Sequence, residues 1–90
     1  MKILEHEMKN WEIKYGYLSI KVHSEWREFF KPVINRNFTL NVLGEELYER
    51  KIDDQGRIYV GSSSLNILKT DEIVLIVRDE KGNFCVKKEG

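Results

Sequence analysis

Three basic residues surround one turn in the sequence RKIDDQGRIYV, which runs from Arg50 to Val60. Arg50 and Lys51 precede the turn, and Arg57 follows directly after Gly56. Such side chains donate hydrogen bonds to phosphate oxygens, and arginine also binds base edges in the major groove of DNA. The other interpretation is cross-strand pairing with acidic neighbours, which contributes only about 0.2–1 kcal/mol per exposed pair. On charge alone we favour the second interpretation, because charged hairpins are common on protein surfaces.

A second set of cations and amides lies in the first half of the chain. Residues 35–37, Asn-Arg-Asn, follow a predicted helix that ends at a proline, and both residue types bind bases and phosphates well. They could form a second arm on DNA, although a solvated strand face and an ordinary loop explain the same residues, and for Lys14 and Lys21 we favour that explanation. The candidate DNA-binding residues are Arg50, Lys51, Arg57, Arg36, Asn35, Asn37, Arg27 and Lys21.

Aromatic residues offer another way to bind nucleic acid, because their rings can stack on bases. Trp26, Phe29 and Phe30 are spaced as one face of a helix, so we expect them in the core instead. Trp11 lies close to the start of the predicted ordered region, and the pattern does not assign it to core or surface.

No residues have the spacing of a catalytic or metal site. His6, His23 and Cys85 do not match a zinc-binding pattern. Glu25 and Glu28 suit the positive first turn of a helix better than an acid–base pair. The sequence contains neither a nucleophile elbow nor a glycine loop that binds phosphate. We therefore expect a protein that is not an enzyme and has no cofactor and no metal.

The composition limits the possible functions further. The chain has 90 residues, with fifteen basic and fifteen acidic side chains, which predicts a single domain without net charge. Non-specific DNA-binding proteins are usually basic overall, so any DNA affinity must come from local clusters. The single cysteine favours a reducing environment. We see neither a signal peptide nor an apolar run of membrane-spanning length, and we expect a cytoplasmic protein without a membrane partner.

The alternation of apolar and polar residues predicts strands along most of the chain. We expect strands at residues 11–15, 18–22, 38–42, 46–52, 57–60, 73–77 and 84–86. Ser24 is the predicted N-cap of a helix that ends near Phe30 or Lys31, before Pro32. A serine in 62–64 is expected to cap a short helical turn, and residues 1–9 are expected to be a frayed turn or a disordered tail.

The two halves of the chain share one pattern. Gly16 and Gly56 each precede a short apolar strand, then a serine-containing helical segment and a second apolar strand. This pattern indicates an internal repeat, and closely spaced strands favour a small barrel whose halves interlock. The predicted fold is mainly β (α+β): one single-chain pseudobarrel domain over residues 1–90, with one clear helix and one short helical turn.

The basic hairpin and the following sequence, LNILKTDEIVLIVRDEKGNFCVKK, resemble the swapped-hairpin half-barrel of the AbrB and MazE-like family. The family's basic strand and acidic turn ending in Gly-Arg match Arg50, Lys51, Asp53, Gly56 and Arg57. A single-chain barrel of two halves also resembles the pseudobarrel DNA-binding domains of plant auxin-response-type regulators and of some restriction endonucleases. The resemblance implies contact with duplex DNA, and it brings the two interpretations of the hairpin to equal weight.

We therefore expect a DNA-binding domain, either of the transcription-regulator type or the recognition module of a restriction system. It would act as a monomer or homodimer and contact duplex DNA through its basic hairpin and loop arms. The alternative is a non-enzymatic adaptor barrel that binds a protein partner. Zero net charge favours this alternative, as does the segment SSSLN, which lacks the basic residues of the family's helix. A scaffold that binds a small ligand at the barrel mouth is a third possibility.

Overall fold

Alternating apolar residues form most of the strands, as the sequence predicts. The computed structural model describes residues 1–89, which are mostly sheet with three short α-helices. The strands are β1 (Lys2–Glu7), β2 (Tyr17–Ser19), β3 (Phe38–Val42), β4 (Glu45–Arg50), β5 (Arg57–Tyr59), β6 (Ile73–Arg78) and β7 (Phe84–Lys88). The helices are α1 (Asn10–Tyr15), α2 (Trp26–Phe29) and α3 (Ser62–Leu65), and a 3₁₀ turn follows α2 at Lys31–Val33.

Five strands form one mixed sheet in the order β1-β6-β7-β3-β4. Strands β3 and β7 run parallel, whereas the other neighbours in this sheet run antiparallel. Strands β2 and β5 pair antiparallel in a separate two-stranded sheet, which we call the ribbon. The part of the chain that the structure describes is thus a mixed α+β fold. Its hydrogen-bonded ladders do not close into a barrel, so the predicted barrel is not confirmed.

Aromatic rings fill the centre of the core. Phe30 stacks on Phe84 with 4.8 Å between ring centroids, and Phe29 and Phe38 contact the same pair edge-on or at a tilt. Trp26 is buried as well. The prediction that the aromatic face of this helix belongs to the core is therefore confirmed, and a base-stacking role for these rings is wrong.

The first nine residues are not a frayed tail, contrary to the prediction. Strand β1 pairs with β6 along its whole length, and Leu4, His6 and Met8 point into the protein and are buried. Because β1 lies at the edge of the sheet, the residues between these three are charged or exposed. The polar character of His6 and of these exposed residues hid the alternation in the sequence.

Residues 11–15 form a helix rather than the predicted strand. The Glu12 carboxylate accepts a hydrogen bond from the backbone N–H of Lys9 at 2.9 Å and so caps the first turn. Gly16, in the left-handed region at φ +80°, ends the helix and donates its N–H to the Glu12 carbonyl. An alternation of only five residues cannot decide between helix and strand, and here the caps at the two ends of the segment favour the helix.

The predicted helix caps are also wrong. Helix α2 begins at Trp26 with Glu25 at the N-cap position, and the Ser24 hydroxyl donates to the Glu25 carboxylate instead of accepting from the helix. Gly61, rather than a serine, occupies the N-cap position of α3. The predicted end of the first helix before Pro32 is confirmed, because α2 stops at Phe29.

The remaining boundaries differ by a few residues. Strand β2 ends at Ser19 and Val22 is exposed, whereas the prediction extended this strand to residue 22. Strand β4 ends at Arg50, and Ile52 forms an isolated bridge with Ile58. The last two strands lie where the sequence predicts them. Within residues 1–89, no helix combines the length and the apolar character needed to cross a membrane.

Candidate nucleic-acid interface

The ribbon positions the basic hairpin that the sequence singled out. Leu18 and Ile58 lie opposite each other on its inner face and are 0% exposed. Side chains alternate along a strand, so the outer face carries Tyr17 and Ser19 from β2 and Arg57 and Tyr59 from β5. Ser19 lies opposite Arg57, and Tyr17 lies opposite Tyr59. We call these four outward residues the ribbon face.

One end of the ribbon face is cationic. Asp53 Oδ1 accepts the backbone N–H groups of Gln55 at 2.8 Å and Arg57 at 3.0 Å, and Oδ2 accepts from Arg57 Nε at 3.2 Å. Burial alone would raise the pKa of Asp53, but these hydrogen bonds and the Arg57 charge hold that pKa below its usual value. The turn thus fixes the Arg57 side chain close to the backbone.

Lys21 reaches the same turn from the first half of the chain. Its Nζ donates to Gln55 Oε1 at 3.2 Å. The Lys21 backbone passes so close to Gly56 that a Cβ there would lie 3.0 Å from the Lys21 nitrogen, and Gly56 has a φ of +68°. A glycine is therefore needed at this position both for the turn and for the close approach. The structure brings Lys21 and Arg57 together, although the sequence separates them widely.

Arg50 is held beside β5 instead of projecting freely. The register of β3 and β4 shifts between Phe38 and Leu40, and Glu49 adopts a left-handed φ of 55° just before Arg50. Arg50 is half-buried, and its Nη1 donates to the Tyr59 carbonyl at 3.2 Å. The next residue, Lys51, is exposed. Of these two cations, Lys51 is therefore the one that faces solvent freely.

The other predicted DNA-binding residues lie in the loop before β3 and in α2. Asn35, Arg36 and Asn37 are exposed in the loop before β3, and Asn35 has a left-handed φ of 64°. Arg27 lies in α2, with its guanidinium 4.5 Å from the centre of the Trp26 ring. Among residues 1–89, no hydrogen bond or salt bridge joins these four residues to the ribbon face. The structure thus brings Lys21 to the turn before Arg57. Because Phe38 pairs with Arg50, it also places Asn37 beside the end of β4.

The other end of the ribbon face is aromatic, which the sequence analysis missed. The Tyr17 and Tyr59 rings meet edge to face at 5.2 Å, and the Trp11 ring lies 6.4 Å from Tyr17. Trp11 is 41% exposed and Tyr59 is 54% exposed. We call these three residues the aromatic strip. The signal in the sequence was the alternation of Tyr17 and Tyr59 with apolar neighbours, but only the pairing of β2 with β5 shows that the rings meet.

A chain of polar side chains lies beneath the ribbon. Glu12 Oε2 accepts the backbone N–H of Ser19 at 2.7 Å and lies 2.8 Å from His6 Nε2, and His6 Nδ1 lies 2.8 Å from His23 Nε2. A carboxylate only accepts, so His6 donates to Glu12 from Nε2, and its Nδ1 makes the contact with His23. Burial, and then the neighbouring His6, lower the pKa of His23 below its usual value. These hydrogen bonds connect β1, α1 and the loop after β2 to the backbone of the ribbon.

Within residues 1–89, no group of three or more His, Cys, Asp or Glu side chains is arranged so that it could hold a metal ion. A depression of about 430 Å³ lies over the five-stranded sheet, where it is lined by residues such as Asn41, Asp79 and Cys85. None of the eight predicted DNA-binding residues lines this depression.

No protein-family model matches the chain, and comparison with curated proteins and with solved structures gives no significant match.

Proposed function

We propose that the chain is a DNA-binding domain, of the transcription-regulator or restriction-recognition type, and that the ribbon face contacts the DNA. The observation that carries this proposal is the convergence of Lys21 with Arg57 at one end of that face. Exposed Lys51 lies six residues before Arg57, and Arg57 keeps its two terminal nitrogens free of hydrogen bonds within residues 1–89. These groups supply the donors that phosphate oxygens accept. The exposed cation and amides of residues 35–37 form the proposed second arm.

The proposal includes a pseudobarrel of two similar halves. Ile20 donates its N–H to the Gly56 carbonyl at 2.8 Å, and Val60 donates its N–H to the Gly16 carbonyl at the same distance. Gly16 and Gly56 hold equivalent positions in the two halves, and so do Ile20 and Val60. Each half therefore donates to the other the hydrogen bond that it accepts in return. This reciprocity supports the interpretation of the chain as an internal repeat related to swapped-hairpin DNA-binding domains.

The test is the salt dependence of DNA binding. We would measure fluorescence anisotropy of a labelled mixed-sequence duplex at about 50 and 200 mM salt, a range over which phosphate contacts weaken strongly. We expect the double variant Lys21→Ala/Arg57→Ala to bind more weakly. Its slope of log affinity against log salt should be less negative by about 0.9 for each phosphate that the protein no longer neutralises.

The control variant removes the same number of positive charges from a different part of the surface. Lys2→Ala/Lys81→Ala removes two exposed cations, one from β1 and one from the turn between β6 and β7. We expect it to bind nearly as the wild type does. If both double variants reduce affinity and slope equally, the ribbon face is not the contact surface.

A second candidate is a protein-interaction module, which the distribution of acidic groups favours. Arg57 already pairs with Asp53, and Glu45, Glu46 and Glu49 are exposed on β4, the strand that precedes β5 in the sequence. Such interleaved charges lower the potential that a phosphate backbone would meet. Absence of binding to any DNA at low salt would favour this second candidate.

A further inference from the structure

We infer that the aromatic strip stacks on unpaired bases, so that this chain binds single-stranded DNA in preference to duplex. The inference rests on one part of the proposed function, the contact of the ribbon face with DNA, and it names the form of DNA that this face binds more tightly. It is carried by the placement of three neighbouring rings, two of them exposed, next to the cationic end of that face.

The rings of the strip differ from the other large group of rings in the protein. The phenylalanine rings of the core are buried and have one another as partners. By contrast, Trp11 and Tyr59 leave about half of their surface in water, at 41% and 54% exposed. Within the described residues, neither the tyrosine hydroxyls of the strip nor the Trp11 indole N–H make a hydrogen bond. The strip is therefore a free aromatic surface on which another flat group can stack.

Duplex DNA does not offer such a group. In a duplex the faces of each base are covered by the neighbouring bases, and a protein reaches only base edges, sugars and phosphates. A single strand exposes base faces, and every base can stack on an aromatic ring whatever its sequence. The strip therefore matches the unpaired form and would contribute little to binding a duplex.

The cationic end supplies the second half of the recognition. Residues two apart on one strand lie about 7 Å from each other on the same face, so Arg57 and Tyr59 can hold a phosphate and a neighbouring base at once. Asp53 bonds only the Nε atom of the Arg57 side chain, which leaves the terminal guanidinium nitrogens for phosphate. Phosphate contacts and stacking on one face are the combination that single-strand-binding surfaces use.

The experiment compares a 12-nucleotide thymine strand with a 12-base-pair duplex by fluorescence anisotropy at the same salt concentration. We expect the wild type to bind the single strand roughly tenfold or more tightly than the duplex, as one or two stacked bases provide. Tyr59→Ala should weaken single-strand binding by about 5- to 100-fold and leave duplex binding nearly unchanged. Tyr59→Phe should keep most of the affinity because it keeps the ring.

Tyr48→Ala is the matched control, since Tyr48 is an exposed tyrosine of β4 outside the strip. Trp11→Ala, in α1, removes another ring of the strip. It replaces Tyr59→Ala as the test if circular dichroism shows that Tyr59→Ala lowers the helical and sheet content. The inference would be overturned if the wild type bound strand and duplex equally and if Tyr59→Ala and Trp11→Ala changed single-strand affinity no more than Tyr48→Ala does. The proposed function would still stand in that case. Absence of binding to both forms would overturn the proposed function itself.

Discussion

Two carboxylates, Glu12 and Asp53, hold the ribbon with the same chemistry in opposite surroundings. Each accepts two backbone N–H groups and one hydrogen bond from a basic side chain, His6 for Glu12 and Arg57 for Asp53. The Glu12 side chain is 1% exposed and the Asp53 side chain is 46% exposed. Their targets, Ser19 and Arg57, lie directly opposite each other in the ribbon.

The difference between the two carboxylates lies in what can replace each hydrogen bond. Water can take over the donors around Asp53, and so can a phosphate, so this network can be exchanged for a ligand. The donors around Glu12 have no water to replace the carboxylate, and removing it leaves them unsatisfied. The buried network therefore fixes the fold of the ribbon, whereas the exposed one tunes its surface.

The largest expected effect comes from removing the buried carboxylate. Glu12→Ala leaves the N–H groups of Lys9 and Ser19 and the Nε2–H of His6 without their acceptor. We expect the free energy of unfolding to fall by about 3–5 kcal/mol, because three donors lose their acceptor at roughly 1–3 kcal/mol each. Urea denaturation, with the midpoint compared at constant slope, measures this loss.

Glu12→Gln sharpens the same comparison. The amide keeps one acceptor oxygen but turns a nitrogen with two hydrogens toward other donors, so we expect a loss smaller than that of Glu12→Ala. If Glu12→Ala costs under about 1 kcal/mol, as an exposed pair would, the two carboxylates do not differ in the way that their burial implies.

The pH dependence of stability is the next largest effect. His23 has a pKa below its usual value of 6.5, because burial and then the nearby His6 disfavour its charged form, and Glu25 and Glu12 only partly oppose this. The unfolded chain therefore takes up the proton first as the pH falls. Stability is complete above pH 6.5, decreases as the pH falls below it, and levels off below the folded pKa. Thermal melting between about pH 7.5 and 5 should show this decrease, since histidine titrates in that range.

His23→Gln tests whether the polar chain causes that decrease. The variant has no imidazole at this position, so its melting temperature should change less across the same pH range. An equally steep decrease in His23→Gln would assign the pH dependence to other groups and remove His23 from the comparison.

The sequence predicted those parts of the fold whose evidence is local. Alternation sufficed for β3, a continuous apolar run sufficed for β6, and the Asp-Gln-Gly turn follows from glycine at position 56. Helix α1 escaped prediction because the cap made by Glu12 and the stop at Gly16 outweighed an alternating pattern of only five residues. Strand β1 escaped because an edge strand carries charges on its exposed face.

The candidate site was predictable only in part, for a related reason. The hairpin cations lie within eight residues of one another and were visible in the sequence. The approach of Lys21 and the aromatic strip depend on the pairing of β2 with β5, which joins distant segments. The buried chain through His6 depends on three separate elements, so no spacing in the sequence could reveal it.

The smallest expected effect comes from neutralising the exposed carboxylate of Asp53. This change should slightly lower stability but raise the affinity for DNA. Asp53→Asn keeps Oδ1, which accepts from the turn backbone, but removes the charge that pairs with Arg57. We expect a stability loss of about 0.2–1 kcal/mol, as for other exposed ion pairs. Because the guanidinium is released, we expect DNA to bind up to about fivefold more tightly, the equivalent of that pair energy.

Asp54→Asn is the matched control for this last change. It alters the net charge equally, and Asp54 is exposed and makes no side-chain hydrogen bond within residues 1–89. A larger gain in DNA affinity for Asp53→Asn than for Asp54→Asn, measured by anisotropy, would mean that Asp53 competes with phosphate for Arg57. Equal gains in DNA affinity for the two variants would mean that the change in net charge alone causes the effect. A loss of affinity in Asp53→Asn alone would mean that the carboxylate positions Arg57 for its ligand, which would make the exposed network as structural as the buried one.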